Sequence, residues 1–282
     1  MSSINPLMLD LYAVIGNPVS HSKSPLIHAI FAQQTVQSMQ YNALLAPVDG
    51  FKTAVENFRQ QGGKGLNVTV PFKLEAFQLS TCLTERAKIA QAVNTIKFEN
   101  HNILGDNTDG AGLVSDIELN LLVPIAAKRV LLLGAGGAAR GVILPLLQKK
   151  PALLAIANRT INNAKNLQEQ FRTYGDIAAG NFLQFSKEKF DIIINATSAS
   201  LHNELPDIAP GTVEHAGLVY DMMYNLDDQT PFLKFAQQHG AQQLADGIGM
   251  LVEQAAESFF VWRNVKPQTK PVIAMLKSTS RT

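Results

Sequence analysis

A glycine-rich turn in the second half of the chain has the spacing of a dinucleotide-binding site. Residues 131–139 fit the pattern Gly-x-Gly-x-x-Ala directly after an apolar strand and before a predicted helix. In this pattern Gly134 allows the tight turn, Gly136 lets the backbone approach a pyrophosphate, and Ala139 keeps the helix close to the sheet. The free N–H groups of the helix N-terminus would bind the phosphates. The predicted cofactor-binding residues of this turn are Gly134, Ala135, Gly136, Gly137 and Ala138.

The end of the next strand indicates which dinucleotide binds. A site for NAD usually has Asp or Glu here, which accepts a hydrogen bond from the ribose 2′-hydroxyl. This chain has Asn158-Arg159-Thr160, and no carboxylate would repel a 2′-phosphate. The Arg159 guanidinium can lie against the adenine and hold a phosphate through two hydrogen bonds. We therefore predict NADP as the cofactor, with Asn158, Arg159 and Thr160 among its binding residues.

Polar clusters in the first half follow or end predicted strands, the usual place for ligand groups in an α/β domain. They cover residues 17–25, 65–73, and 92–95 together with 105–110. The cluster at 105–110 does not match an EF-hand calcium loop. Counted from Asp106, the third position is Thr108, so the spacing of the calcium ligands is not met. The six histidines have no metal-ligand spacing, and the single Cys82 supplies too few thiolates. We expect ligand-binding loops and no metal site.

The elements that would position these groups alternate between strand and helix. In the first half, hydrophobic patterns predict strands at residues 11–16, 41–48 and 66–70, helices at 25–34 and 51–61, and a hairpin of 92–98 with 103–104. After a helix at 112–119, the second half has strands at 129–133, 153–158, 191–195, 218–221 and 241–244, with helices after the glycine turn and at 162–174 and 250–261. This alternation predicts βαβ units, a mostly parallel sheet and an α/β fold.

A length of 282 residues corresponds to about two domains. We expect a substrate-binding and catalytic domain at 1–109, a Rossmann domain at 110–245, and a helical segment at 246–282 that packs back on the first domain. With 24 basic and 23 acidic side chains, no global field would attract nucleic acid or a membrane surface. No apolar run reaches the roughly 18 residues of a membrane span, and the N-terminus lacks the pattern of a secretory leader. These features favour a cytoplasmic protein.

Together, the motifs closely resemble those of the shikimate dehydrogenase family. They occur in family order from about residue 12 to about 256. The matching segments are Ser-Lys-Ser-Pro (22–25), Asn-Val-Thr-Val-Pro-Phe-Lys (67–73), Ala-Val-Asn-Thr (92–95), Gly-Asp-Asn-Thr-Asp-Gly (105–110), Gly-Ala-Gly-Gly-Ala (134–138), Asn-Arg-Thr (158–160), Asn-Ala-Thr-Ser (195–198), Tyr-Asp-Met-x-Tyr (220–224) and Asp-Gly-x-Gly-Met-Leu-Val-x-Gln-Ala-Ala (246–256).

The resemblance implies reversible, NADPH-dependent reduction of 3-dehydroshikimate to shikimate, a step toward aromatic amino acids. The sequence leaves both a monomer and a homodimer open. The resemblance also implies Lys73 and Asp109 as the catalytic pair, and which of the two transfers the proton stays open. Ser22 and Ser24 would bind the substrate carboxylate. The other implied contacts are Thr69, Asn94 and Gln254 to ring hydroxyls, Tyr224 to the substrate, Thr197 along the cofactor cleft, and Met222 and Gly247 near the nicotinamide.

Two other readings and two departures from the family pattern bear on this expectation. An NAD-dependent quinate/shikimate dehydrogenase would need an acidic residue near position 158 or 159 to bind the ribose 2′-hydroxyl. A non-catalytic ligand sensor would need an added DNA-binding module or a lost catalytic pair. Many NADP-using members have a second Arg where this chain has Asn163, so we expect the 2′-phosphate to be held less tightly, with help from Lys165. The glycine often found after Asn-Ala-Thr-Ser is displaced, since residues 199–201 are Ala-Ser-Leu.

Overall fold

The computed structural model describes residues 9–199, 204–225 and 227–279. The chain divides into two compact units. The first unit is Met1–Thr108 with Ala255–Val272, and the second is Asp109–Gln254 with Ile273–Thr282. Besides the boundary between Thr108 and Asp109, two boundaries between the units lie inside helices. These are α9 (Ile248–Arg263) and α10 (Lys270–Thr279). No helix of the described residues is long and apolar enough to span a membrane.

The first unit is built on a six-stranded mixed sheet. Its strands are β1 (Asp10–Gly16), β2 (Met39–Leu45), β3 (Gly63–Val68), β4 (Cys82–Leu83), β5 (Thr95–Glu99) and β6 (Asn102–Asp106), and its other helices are α1 (Ser24–Gln34), α2 (Phe51–Gln60), α3 (Lys73–Leu79) and α4 (Glu85–Ala90). The strand order is β2-β1-β3-β5-β6-β4. β1 is parallel to β2 and β3, whereas the β5–β6 hairpin runs antiparallel to β3 through β5. The predicted hairpin is therefore the antiparallel part of this sheet.

The end of α9 that belongs to the first unit completes the core of that unit. Trp262 is 7% exposed, and its indole Nε1 donates to the Ile96 carbonyl at 2.9 Å. Gly65 lies under this ring, because a Cβ there would come within 2.5 Å of the indole nitrogen. The Phe51 and Phe72 rings stack with their centroids 4.9 Å apart, in a hydrophobic cluster that also holds Leu66. Polar loops at the strand ends thus rest on tightly packed apolar side chains.

The second unit has a six-stranded sheet in which every pair is parallel. Its strands are β7 (Arg129–Leu133), β8 (Leu153–Ala157), β9 (Ile177–Gly180), β10 (Ile192–Asn195), β11 (Leu218–Asp221) and β12 (Leu244–Ala245), and its helices include α5 (Asp109–Ser115), α6 (Gly137–Gln148), α7 (Ile161–Phe171) and α8 (Pro231–Gln238). The order β9-β8-β7-β10-β11-β12 is the 3-2-1-4-5-6 order of dinucleotide-binding sheets. The central strands read as apolar runs because both faces are buried.

Several element boundaries differ from the predicted ones. The strand predicted at 41–48 spans Met39–Leu45 and ends before Pro47, which has no N–H to donate to a neighbouring strand. The strand predicted at 241–244 is reduced to Leu244–Ala245. The helix predicted at 112–119 begins at Asp109 and changes to a π-helical turn over Asp116–Asn120. Pro145 lies inside α6, three residues before its last residue.

Candidate active site

The turn after β7 has the backbone geometry of a phosphate-binding loop. Gly134 has φ +108°, a conformation that favours glycine, and its N–H donates to the Ala157 carbonyl at 2.7 Å. A Cβ on Gly134 would lie 3.1 Å from the Ala196 backbone, so the turn passes close to the end of β10. A Cβ on Gly136 would meet no protein atom within 4 Å, which leaves the N-terminal side of α6 open to a ligand. Ala139 is fully buried, consistent with close packing of α6 on the sheet.

A buried polar network holds the loop that follows β10. The Asn195 side-chain oxygen accepts from the Thr197 backbone N–H at 3.1 Å and from its hydroxyl at 2.7 Å. The Asn195 amide donates to Asp221 at the end of β11 at 3.1 Å, and Thr230 donates to the same carboxylate at 2.6 Å. Thr230 also caps α8 by accepting from Leu233 N–H. Thr197 is therefore fixed beside the turn at the point where the strand order reverses, which is where ligands bind in such sheets.

The end of β8 carries the residues predicted to distinguish NADP from NAD. Asn158 folds its side chain back, donating to the Thr160 carbonyl at 2.9 Å. Arg159 and Thr160 are exposed, and Thr160 stands immediately before α7. Asn163 and Lys165 are exposed on the first turns of α7. A cation and a helix N-terminus at this strand end suit a phosphate group, and no carboxylate occupies the three positions.

Met222 and Gly247 lie against each other in the second unit. Met222 N–H donates to the Asn195 carbonyl at 2.9 Å, and Gly247 N–H donates to the Met223 carbonyl at 3.0 Å. A Cβ on Gly247 would overlap the Met222 carbonyl, so only glycine fits without a shift. Tyr224 follows and is half-buried. The same unit contains Asp109, the buried first residue of α5, and Gln254 on α9.

In the first unit, the predicted carboxylate-binding serines occupy the start of α1. Ser22 Oγ accepts from Ser24 N–H at 3.3 Å, and Ser24 is buried. Burial raises the pKa of Tyr41 well above its usual value, and the Ser24 side chain opposes that rise. The Tyr41 hydroxyl in turn donates to Asn67 Oδ1 at 2.7 Å. Asn67 therefore links the serine loop to the end of β3, next to Thr69.

Lys73 and Asn94 are held near one another by backbone contacts. Lys73 is half-buried at the start of α3, and its carbonyl accepts from Val93 N–H at 2.9 Å. The Asn94 side chain donates to Thr108 Oγ1 at 2.9 Å and accepts from Thr108 N–H at 2.9 Å. Thr69 N–H donates to the Ile15 carbonyl at 3.0 Å. These contacts join the segment before β5 to the start of α3 and to Thr108.

An ion pair that the sequence did not predict anchors the end of β6 at Asp106. Arg86 binds the Asp106 carboxylate through two hydrogen bonds, at 2.7 and 2.6 Å, and binds Glu257 at 3.0 Å. Burial raises the pKa of Asp106, but the hydrogen bonds and charge of Arg86 outweigh it and hold that pKa below the usual value. Thr84 adds a hydrogen bond at 2.5 Å. The sequence signals only the start of α4, through the N-cap residue Thr84, and not the pairing of Arg86 with Asp106.

A second missed feature is a histidine buried behind the serine loop. His28 has no exposed surface and stacks on Tyr41 with ring centroids 4.2 Å apart. Neither of its ring nitrogens has a hydrogen-bond partner among the described residues. Burial lowers the pKa of His28 to about 3, with a smaller opposing contribution from Asn67. His28 is therefore a neutral aromatic core residue, and the described part of the chain contains no group of three His, Cys, Asp or Glu side chains suited to a metal ion.

The strand order of the second unit, with its glycine turn at the reversal point, defines an α/β protein of the dinucleotide-binding class. Three family models match the chain. They are the shikimate dehydrogenase substrate binding domain at residues 14–96, shikimate / quinate 5-dehydrogenase at 118–205, and the shikimate 5′-dehydrogenase C-terminal domain at 247–277.

Relatives support the same assignment over nearly the whole chain. The shikimate dehydrogenase (NADP(+)) of Nitrosospira multiformis is 61% identical over 272 residues, 96% of this chain and 98% of that protein. Among solved structures, an Ael1 enzyme from Pseudomonas putida has a TM-score of 0.88 at 48% identity, covering 95% of this chain and 98% of that one. The Aquifex aeolicus shikimate dehydrogenase has a TM-score of 0.82 at 31% identity, covering 99% and 100%. The chain belongs to the shikimate dehydrogenase family.

Proposed function

We propose that this chain is an NADP-dependent shikimate dehydrogenase that reversibly reduces 3-dehydroshikimate to shikimate, toward aromatic amino acids. The observation that carries the proposal is the match to curated proteins named shikimate dehydrogenase (NADP(+)), at 61% and 59% identity over 96% and 97% of this chain. The NAD-dependent quinate/shikimate reading is not favoured, since the end of β8 has Arg159 in place of a carboxylate.

The cofactor is proposed to bind at the ends of two strands, with its pyrophosphate after β7 and its 2′-phosphate after β8. The turn Gly134–Ala138 would hold the pyrophosphate at the N-terminus of α6, and Asn158, Arg159 and Thr160 would hold the 2′-phosphate. Thr197, Met222 and Gly247 would border the nicotinamide half. NADPH, when bound, supplies the hydride. The open side of Gly136 and the absence of a carboxylate at positions 158–160 both suit this ligand.

The substrate residues are proposed to hold the ring and to stabilise charge on its oxygen. Ser22 and Ser24 would bind the carboxylate, and the ring contacts would come from Thr69, Asn94, Tyr224 and Gln254. Lys73 would donate to the carbonyl oxygen, where negative charge develops, and one such donor is worth roughly 3–4 kcal/mol in the transition state. Asp109 would orient the Lys73 ammonium and hydrogen-bond the same oxygen. One of the pair would transfer the proton.

We also propose the organisation in which these groups work. Residues 1–109 would form the substrate domain, residues 110–245 the cofactor domain, and residues 246–282 a helical segment returning to the first domain. The enzyme would act in the cytoplasm as a monomer or homodimer on a small molecule, without nucleic-acid or membrane partners. The near balance of 24 basic and 23 acidic side chains supports the last point.

The test is a steady-state assay of shikimate oxidation with NADP and NAD in parallel, and of quinate with each cofactor. The expected result is a much higher kcat/KM for shikimate with NADP than for any other combination. Activity with NAD that equals or exceeds activity with NADP would refute the cofactor assignment. No oxidation of shikimate with either cofactor, by protein whose fold is verified by circular dichroism, would refute the proposed function.

A further inference from the structure

A buried carboxylate lies in the π-helical turn that follows α5. The turn is closed by a hydrogen bond from Leu121 N–H to the Asp116 carbonyl at 2.9 Å, one residue longer than an α-helical bond. Single π turns within helices occur often at functional sites. Asp116 is 1% exposed, and among the described residues no ion pair joins it to a Lys, Arg or His. The side-chain hydrogen bonds to this buried carboxylate therefore come from neutral groups, as buried polar atoms require partners.

The donors come from the second unit itself. The Tyr220 hydroxyl donates to Asp116 Oδ2 at 2.7 Å, and the Asn120 amide donates to Oδ1 at 3.0 Å. Burial raises the pKa of Tyr220 well above its usual value, so its hydroxyl keeps its proton. The backbone N–H of Met250, in the first turn of α9, opposes this rise in pKa. We call the hydrogen-bonded pair of Asp116 and Tyr220, which joins the π turn to the start of α9, the relay.

The first turn of α9 also packs directly on the carboxylate. A Cβ on Gly249 would overlap the Asp116 side chain, so the helix backbone reaches it only because this residue is glycine. A carboxylate at this position is stabilised by the positive end of the helix dipole. Asp246 adds a cap by accepting from Ile248 N–H at 3.1 Å. The start of α9 is thus fixed by two acidic side chains and one tyrosine.

The next turn of α9 is held by the same segment of chain. Asn120 bridges to Glu253 at 3.0 Å, as well as to Asp116. A Cβ on Gly112 would come within 2.7 Å of the Gln254 backbone nitrogen, which shows how closely α5 approaches α9 there. The two contacts place Gln254 relative to α5, and the first-turn contacts place Gly247, which immediately precedes the helix.

We propose that Asp116 is a positioning residue that, through Tyr220 and Asn120, sets the first two turns of α9. It thereby places Gly247 beside the nicotinamide and Gln254 at the substrate ring. This inference rests on the proposed function, which assigns those two contacts. Hydride transfer is sensitive to such placement, because reacting atoms must meet at about 3–3.5 Å and an error of about 1 Å costs on the order of 100-fold.

The test compares Asp116→Asn, which removes the charge at constant size, with Tyr220→Phe, which removes one oxygen atom. Each should lower kcat for shikimate oxidation by about 10-fold or more, while the Kd of NADPH changes by less than about threefold. The primary isotope effect on kcat with shikimate deuterated at the reacting carbon should rise, because hydride transfer becomes the slow step. The double variant should be little worse than the worse single variant, since both act through one relay.

A matched control separates positioning from loss of stability. Phe185→Leu trims a buried core residue of the same unit and should lower the melting temperature without changing the isotope effect. If the Asp116 and Tyr220 variants also lose only stability, with wild-type kcat and isotope effect below their melting temperatures, the inference is overturned. If Asp116→Asn does not fold, Tyr220→Phe decides the question alone.

Failure of the proposed function would look different. In that case the wild-type chain itself would not oxidise shikimate. Hydrogen exchange then tests the relay independently, at the Leu251 amide that donates to the Gly247 carbonyl at 2.8 Å. Faster exchange at this amide in Tyr220→Phe than in Phe185→Leu supports the relay, and equal exchange overturns it.

Discussion

Replacing Arg86 with methionine should destabilise the protein because it leaves the Asp106 carboxylate buried without a cation. Asp106 is 2% exposed and receives two of the three Arg86 hydrogen bonds. Removing one partner of such a buried pair costs about 3–5 kcal/mol, well above the worth of a surface pair. Arg86 is itself 27% exposed on its side chain, so we expect the lower half of that range, about 3–4 kcal/mol.

The measurement is urea unfolding of wild type, Arg86→Met and the control Arg172→Met. Arg172 pairs with Glu169 on the surface, where the side chains are 65% and 71% exposed, so its loss should cost less than about 0.5 kcal/mol. The double variant Arg86→Met/Asp106→Asn should recover part of the loss, because the amide removes the uncompensated charge. A cost for Arg86→Met that matches the Arg172→Met control would refute the reasoning.

The same pair predicts a dependence on pH. Asp106 has its pKa lowered in the folded state, so the pair stabilises fully above the unfolded pKa of about 3.9 and this contribution is lost as pH falls through the folded value. In Arg86→Met, burial instead raises the pKa of Asp106, and the carboxyl is readily protonated in acid. The difference in stability between wild type and variant should therefore shrink as pH falls from 6 toward about 4. A difference that stays constant over this range would contradict an electrostatic cause.

Three further predictions address the cofactor, the chemistry and the histidine. Arg159→Asp should shift the ratio of kcat/KM values from NADP toward NAD, and an unchanged ratio would show that Arg159 does not bind the 2′-phosphate. Lys73→Met should lower kcat by about 100-fold or more with a smaller change in KM, and adding Asp109→Asn should add little; a rise in KM alone would make Lys73 a binding residue. His28 has a folded pKa of about 3, so stability should fall as pH drops below about 6.5, and His28→Phe should flatten that slope in urea unfolding. An unchanged slope would mean that His28 does not contribute to the acid sensitivity.

The sequence predicts the parts of the fold whose signals are local. The apolar runs of β7 and β10 and the glycine turn between β7 and α6 are found where they were expected. Short elements were missed, although some carried a signal. α8 has Thr230 at its N-cap followed by Pro231, a favoured helix start, and α4 has Thr84 capping Ala87 N–H.

Motifs predict residues for the candidate site, but the contacts that support those residues in the fold could not be predicted. Tyr220 and Asp116 are 104 positions apart in the chain, and no sequence motif around either residue predicts that they form a hydrogen bond. Hydrophobic periodicity even suggests an ordinary helix at 112–119, because a π turn adds one residue to a turn without changing which side chains are apolar. The signal that remains in the sequence is glycine. Gly112 and Gly249 lie within helices, where glycine costs about 1 kcal/mol relative to alanine, so each implies a close approach that a Cβ would prevent.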